Sequence, residues 1–187
     1  GIEIKARRWT RNANRHQLFA KVPNWEISKF NRMTDVLDAF GYFRDGRDRL
    51  NCTVSAINVN PQGLTFELDD EKGLLNEVSD DPKFGAFASW YLSDLRDTLM
   101  TKHAETFWVA AQVHIIGGRE CFEFTHVTYT RNPIVSSFDL LLRTGDITMD
   151  HEMKRRDSGA AQERGPSFKL KPRSLELLFP APTEYSL

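Results

Sequence analysis

The feature that most constrains the fold is an apolar segment followed by an alternating one. Residues 107–116 are nearly all apolar, which is typical of a strand covered on both faces. After Gly117 and Gly118, residues 121–130 alternate between apolar and polar side chains. The two segments predict an antiparallel hairpin closed by the glycine pair. Its first strand requires other elements to pack on it.

Apolar positions predict further helices and strands along the chain. Helical spacing occurs in three segments, and a fourth short helix is predicted after Ser174: residues 27–43, 92–101, 134–142 and 175–179. Short strands are predicted at residues 1–8, 17–21, 50–59, 64–68, 147–149 and 168–170. We expect two more hairpins, one formed by residues 1–8 with residues 17–21 and one by residues 50–59 with residues 64–68. Because strands and helices do not alternate regularly, the sequence predicts an α/β (α+β) fold with a mixed β-sheet flanked by helices.

Composition limits the class of protein. The 187 residues, of which 40% are hydrophobic, can form one core, and we expect a single domain over residues 1–187. A net charge of -1 argues against a protein that coats nucleic acid, although the charges are segregated along the chain. Cys52 and Cys121 lie in apolar-rich segments and are expected to be reduced thiols in the cytoplasm. No segment resembles a signal peptide or a membrane span, so we expect a soluble protein without a membrane partner.

The first strand carries a pattern suited to phosphodiester chemistry. Ile2 and Ile4 alternate with Glu3 and Lys5, so the carboxylate and the amine share one face of the strand. Glu3 can bind a hard divalent cation through oxygen, and Lys5 can stabilise the charge that develops on a phosphate. The pattern is weak alone, because an amphipathic strand with a solvated charged face gives the same alternation.

Basic residues supply candidate contacts with a polyanion. We expect phosphate contacts near the catalytic strand from Arg7, Arg8, Arg11 and His16. We expect base or phosphate contacts from a second group: Asp150, His151, Lys154, Arg155, Arg156, Arg164 and Lys169. The alternatives are a surface hairpin for the first group and a solvated basic loop for the second.

Three other histidines have structural interpretations. His114 and His126 lie in apolar strands, where hydrogen-bonded core positions are expected. His103 follows a predicted helix, where the helix dipole favours a cation without any functional role.

Several segments, in order, resemble the MvaI/BcnI family of restriction endonucleases. The C-terminal ones are the most specific: Phe-Asp-Leu-Leu-Leu-Arg-Thr-Gly-Asp-Ile-Thr-Met-Asp at residues 138–150 and Gly-Pro-Ser-Phe-Lys-Leu at residues 165–170. The similarity also includes residues 1–8, 18–19, 60–64, 90–102, 107–109, 120–124 and 175–179. It therefore covers most of the chain.

The resemblance implies a Mg²⁺-dependent nuclease of the PD-(D/E)xK class with a MutH-like build. Glu3 would be a metal ligand and Lys5 the catalytic lysine. We expect a catalytic core over about residues 1–130 and DNA-recognition elements over about residues 131–187. The family's first metal-binding aspartate precedes the Glu-x-Lys strand, so we expect the natural chain to start further upstream.

The resemblance also implies the partner and the mode of action. Members act as monomers on double-stranded DNA at short, nearly palindromic sites, and a cognate DNA methyltransferase is an expected partner. The sequence leaves two alternatives open. One is a DNA-binding module of the same fold that has lost its nuclease activity, and the other is a mixed-sheet interaction domain with no nucleic-acid role.

Overall fold

The computed structural model describes residues 1–8, 15–162 and 165–186, apart from the Arg7 side chain. In these residues the strands are β1 Ile2–Arg8, β2 His16–Ala20, β3 Tyr42–Arg44, β4 Arg47–Val54, β5 Leu64–Asp69, β6 Leu74–Ser79, β7 Ala86–Tyr91, β8 Glu105–Ile116, β9 Arg119–Arg131, β10 Ile147–Arg155, β11 Ala161–Gln162, β12 Ser167–Leu170 and β13 Thr183–Ser186. The α-helices are α1 Met33–Phe40, α2 Leu92–Lys102, α3 Val135–Arg143 and α4 Leu175–Leu178, and two 3₁₀ turns are Trp25–Ile27 and Pro172–Ser174. The predicted α+β class is confirmed.

The first sheet contains the predicted glycine-closed hairpin. Its strand order is β1-β8-β9-β13, and β8 and β9 pair antiparallel. Gly117 and Gly118 both have positive φ, which glycine adopts without steric cost. Strand β1 pairs parallel with β8, so the predicted hairpin between β1 and β2 is wrong. A parallel partner about a hundred residues away leaves no local signal in the sequence.

The second sheet has the strand order β2-β12-β10-β4-β3, with β11 added to β10. Strands β5, β6 and β7 form a third, antiparallel sheet. The predicted hairpin of β4 with β5 is therefore wrong, because β4 pairs with β10 and β5 pairs with β6. The chain still turns between them, at residues 60–63, but it passes from one sheet to another.

The predicted helix at residues 27–43 is shorter in the structure. Its α-helical part is α1, and the chain before it is extended at Ser28, whose hydroxyl accepts a hydrogen bond from the Ser89 amide at 2.9 Å. The Phe30 amide donates to the Phe87 carbonyl at 3.0 Å. These bonds fasten the segment to β7, and tertiary contact overrides helical periodicity here.

The core is aromatic and lies where the second and third sheets meet the helices. Trp90, Phe138 and Phe168 are fully buried, and the Trp90 indole donates a hydrogen bond to the Lys21 carbonyl at 3.0 Å. The outer face of the first sheet is exposed by contrast, with Ile4 at 68% and Ile115 at 67%. The expectation that residues 107–116 are covered on both faces is therefore wrong for the far half of β8. Beyond Ala111, β9 is the one partner of that strand in the described part of the chain.

Two further findings concern the helices and the cysteines. In the described part of the chain, no helix combines the length and the apolar character needed to cross a membrane. Cys52 and Cys121 are free, as predicted, and burial raises the pKa of the Cys52 thiol to about 12.

The turn at residues 60–63 gives a test of the fold. The Asn60 side chain accepts hydrogen bonds from the amides of Gln62 and Leu64 and donates one to the Thr53 carbonyl, all at 2.9–3.0 Å. Loss of these three bonds in Asn60→Ala should lower the free energy of unfolding by about 2 kcal/mol. Urea denaturation measures this change. Gln62→Ala is the control, with an expected change below about 0.5 kcal/mol, since Gln62 contributes its main-chain amide.

Candidate functional site

Glu3 and Lys5 lie on the same face of β1, as the alternation predicts. The Lys5 ammonium is 2.9 Å from a Glu3 carboxylate oxygen, and both side chains are partly exposed, at 25% and 30% respectively. The hydrogen bond from Lys5 is the main cause that lowers the pKa of Glu3, so the carboxylate is ionised at neutral pH. The site thus presents an anionic oxygen ligand beside a cation.

The apolar side chains of β1 face away from the core, although apolar side chains usually face it. Ile2 and Ile4 are exposed, whereas Glu3 and Lys5 face the body of the protein beside buried Thr106 and Trp108, their partners on β8. The charged face of this strand is therefore the inner one.

A polar cleft runs from Lys5 to the second sheet. It consists of two adjoining cavities of about 570 and 700 Å³, which share Gln17 and Lys169 in their walls. Lys5 and Trp108 line the smaller cavity, and Asp150 lines the larger one. We refer to the two cavities together as the cleft.

A hydrogen-bonded network forms the floor of the cleft around Asp150. Its carboxylate accepts from the Arg15 guanidinium at 2.8 and 2.9 Å, from Lys169 at 2.7 Å and from the Thr53 hydroxyl at 2.7 Å. Lys169 also donates to Glu152 at 2.9 Å. Burial opposes the charge on Asp150, but these hydrogen bonds outweigh it and lower the pKa of the carboxyl. Asp150 is thus a fixed anion that orients two cations.

The alternation of β10 divides the predicted recognition residues into two groups. Asp150, Lys154 and Arg156 line the cleft. His151 faces the interior instead: it is 1% exposed and its ring lies 2.8 Å from Glu77 on β6. Arg155 is paired with Asp38 and Asp48 on that side. Successive side chains of a strand point to opposite faces. The expected DNA contact of His151 is therefore corrected, because its ring is buried, whereas that of Arg155, whose side chain is 26% exposed, stays a prediction.

The predicted phosphate contacts near β1 are also divided. Arg8 points to the outer face, where it pairs with Glu120 at 2.8 Å and lies over the Phe122 ring, so it lies away from the cleft and its expected phosphate contact stays a prediction. His16 is buried, lies edge-on to Trp108 and lines the smaller cavity. Arg11, Arg164 and the Arg7 side chain lie outside the described part of the chain.

The other three histidines differ from expectation. His114 and His126 are surface residues paired with Glu123 and Glu184, rather than core residues. His103 is fully buried, and burial lowers its pKa to about 4, so it is neutral at pH 7 and is not a helix-terminal cation.

Several cleft residues were missed by the sequence analysis. Asn51 on β4 and Gln17 on β2 line the cleft, and Thr53 and Arg15 join its floor through their hydrogen bonds to Asp150. A signal for β4 was present, because Arg49, Asn51 and Thr53 alternate with Leu50, Cys52 and Val54. That period of two indicated a half-buried strand with a polar face, although not which cavity the face lines.

The donor set suits a hard cation only in part. Glu3 offers ionised oxygen, which Mg²⁺ prefers, and this ion commonly uses one or two carboxylates together with waters and substrate phosphates. Within residues 1–8, 15–162 and 165–186, no group of three or more His, Cys, Asp and Glu side chains is placed to hold a metal. A metal at Glu3 would therefore take its other ligands from waters and the substrate.

Comparisons with known proteins agree on one family. The model of the MvaI/BcnI restriction endonuclease family matches residues 1–179. Among solved structures, the complex of restriction endonuclease MvaI with its cognate DNA substrate matches with a TM-score of 0.80 and 19% identity, over 99% of this chain and 77% of that one. MvaI in the absence of DNA matches with a TM-score of 0.66 and 19% identity, over 98% and 78%. No curated protein sequence matches the chain.

The buried His103 predicts how stability depends on pH. The folded protein holds the neutral ring, with a pKa of about 4 against 6.5 for the reference histidine. The unfolded state therefore binds a proton first as the pH falls through 6.5, and folding stability is lost down to about pH 4. We expect this residue to account for about 3 kcal/mol of destabilisation between pH 7 and pH 4.

The measurement is urea denaturation of the wild type and of His103→Gln at both pH values. The variant should lose less stability on acidification, since it lacks the titrating ring. Equal losses in the two proteins would contradict a neutral His103 in the folded state.

Proposed function

This chain belongs to the MvaI/BcnI restriction endonuclease family, and we propose that it hydrolyses double-stranded DNA at a specific sequence with Glu3 and Lys5 at the reacting phosphate. The observation that carries the assignment of residues is the same-face pair on β1, at the end of a cleft whose floor is polar. The match of the fold to an MvaI–DNA complex supports duplex DNA as the ligand of that cleft.

Lys5 and Glu3 have different roles in the proposed reaction. A water oxygen attacks the phosphorus and gives up one proton as one P–O bond breaks, and the leaving alkoxide oxygen takes a proton and becomes an alcohol, so the net change is the addition of water across that bond. The Lys5 ammonium stabilises the negative charge that grows on the phosphate oxygens or holds the attacking water. The Glu3 carboxylate, already ionised, would hold the cation that the chemistry uses.

We assign Mg²⁺ as that cation. Its preference for oxygen, and for substrate phosphates as further ligands, fits a site in which Glu3 is the protein ligand. When bound, it supplies a Lewis acid at the scissile phosphate. Lys5 would then turn from Glu3 towards the phosphate, since both cations would otherwise compete for one carboxylate.

The contacts with DNA divide into two kinds. Lys154 and Arg156 have no ion-pair partner among the described residues and line the larger cavity, which suits contact with phosphates or guanine edges. Asp150 and Lys169, held in the network on the cleft floor, present fixed acceptor and donor groups. His16 lines the same cavity as Lys5, which supports a role near the cut. For Arg7, Arg11 and Arg164 a phosphate contact remains a proposal from the sequence.

The resemblance to the family supports proposals about oligomeric state, compartment and partner. We propose a single nuclease domain that acts as a monomer in the cytoplasm, with a methyltransferase protecting the same site. The recognition elements combine residues 131–187 with β2 and β4, because these strands share the second sheet with β10 and β12.

Removal of the Lys5 amine tests the reaction. With Mg²⁺ and plasmid DNA, Lys5→Ala should lower the cleavage rate by about 100-fold or more, because a charge at the transition state is lost. Binding to duplex DNA should persist. The matched control is Lys72→Ala, which removes an exposed lysine that is paired with Asp69 and lines neither cavity of the cleft.

Cleavage by Lys5→Ala at the wild-type rate would exclude this mechanism. Binding by the wild type without cleavage at any Mg²⁺ concentration would favour a DNA-binding module that has lost its chemistry.

Lys154 and Arg156, the cleft side chains without an ion-pair partner among the described residues, predict how DNA binding depends on salt. For each phosphate contact, the slope of log K against log salt concentration is about -0.9 for duplex DNA. Lys154→Ala and Arg156→Ala should each reduce the magnitude of the slope by about one, as measured by fluorescence anisotropy. Arg143→Ala should leave the slope unchanged, since Arg143 pairs with Asp70 and lines neither cavity. An unchanged slope in both cleft variants would remove these residues from the interface.

A further inference from the structure

The cleft is built from two sheets that share no strand. Glu3 and Lys5 belong to the first sheet, whereas Gln17 and Lys169 belong to the second. Cleavage at a fixed position in a recognised sequence requires these two walls to keep a defined spacing. The contacts that join the sheets beneath the cleft therefore bear on catalysis.

His103 lies at this junction and bonds to both sheets. It is 0% exposed, and its Nδ1 is 2.9 Å from the Thr106 hydroxyl on β8. Its Nε2 is 2.8 Å from the Leu18 carbonyl on β2. Thr106 is the register partner of Glu3, and Leu18 adjoins Gln17 in the wall of the cleft.

The ring also supports the wall beside Lys5. It stacks on Trp108, with centroids 5.3 Å apart and planes 11° from parallel. Trp108 is the register partner of Lys5, and its indole donates to the Thr130 hydroxyl at 2.8 Å. One buried ring thus contacts the side chains of the register partners of both residues of the proposed reaction.

The two hydrogen bonds define the tautomer. A carbonyl oxygen can only accept a hydrogen bond, so Nε2 carries the ring proton and donates to the Leu18 carbonyl. Nδ1 of the neutral ring then accepts from the Thr106 hydroxyl. The bond to the second sheet and the bond to the first sheet therefore use different atoms of His103, and they can be removed separately.

We propose that His103 is a positioning residue that sets the spacing between the Glu3–Lys5 pair and the recognition wall of the cleft. It acts through Thr106 and Trp108 on one side and through Leu18 on the other, and it does not touch the DNA. The proposal rests on the proposed function of the cleft.

Two substitutions separate its bonds. In His103→Gln the terminal amide reaches the Nε2 position and keeps the donor to Leu18. In His103→Asn the shorter side chain keeps an acceptor near Thr106 but loses the bond to the second sheet. Both lose the stack on Trp108. Leu75→Ala, in the buried part of the third sheet, is the control for loss of stability alone.

Single-turnover cleavage and DNA affinity are measured below the unfolding temperature of every variant. His103→Asn should cleave at least tenfold more slowly than the wild type, with a dissociation constant within twofold. His103→Gln should cleave at a rate within about threefold of the wild-type rate. Leu75→Ala should match the wild type, because a merely structural loss leaves the folded fraction unchanged at that temperature. Thr106→Val, a milder change at the same junction, should slow cleavage about threefold at unchanged affinity.

A distance measurement that does not depend on activity completes the test. Spin labels at exposed Arg131 on β9 and Phe43 on β3, with both native cysteines replaced by alanine, report the spacing of the sheets. The distance distribution should be at least twofold broader in His103→Asn and should remain narrow in His103→Gln.

A narrow distribution in His103→Asn, or wild-type cleavage by it, overturns the positioning role. Failure of the wild type to cleave would reject the proposed function instead, and the spin-label distances would still decide the role of His103.

Discussion

The parallel pairing of β1 with β8 is the constraint on which the site depends. It aligns Glu3 with Thr106 and Lys5 with Trp108, so that the charged face of β1 turns inward and the isoleucines turn outward. Placing charges on the inner face costs solvation free energy, which mutual pairing and partial exposure to the cleft reduce. The inversion of the usual pattern, with apolar side chains outside, fits the proposed role of the inner face in the reaction.

Local sequence patterns were sufficient for elements whose partners are near in the chain. The β8–β9 hairpin, α2, α3 and the turn at residues 60–63 follow from alternation, helical spacing and glycine placement. Pairings across long separations did not follow: β1 with β8, and β4 with β10, leave no trace in either strand alone. The two wrong hairpins share this cause, since each assumed that neighbours in sequence are neighbours in a sheet.

The candidate site divides in the same way. Alternation placed Glu3 beside Lys5, because both belong to one strand. It could have assigned Asp150 and Lys154 to one face of β10 and His151 and Arg155 to the other, but the extent of that strand was underestimated at residues 147–149. His103 could not have been recognised at all. Its position after a helix suggested a cation, whereas its partners, Leu18 and Thr106, come from two different sheets.

The charges of the cleft explain how a chain of net charge -1 can act on a polyanion. At the centre of the floor, Asp150 and Glu152 neutralise Arg15 and Lys169, so this region adds little net attraction. Its contribution is the orientation of donors and acceptors. Every group in the network is held by a partner, so the hydrogen bonds that it can still form point in fixed directions. On the proposed function, attraction comes from Lys154 and Arg156 at the far end, and discrimination comes from the balanced centre. Affinity and specificity then reside in different parts of one cleft, and the junction at His103 holds both at a fixed distance from the residues that cut.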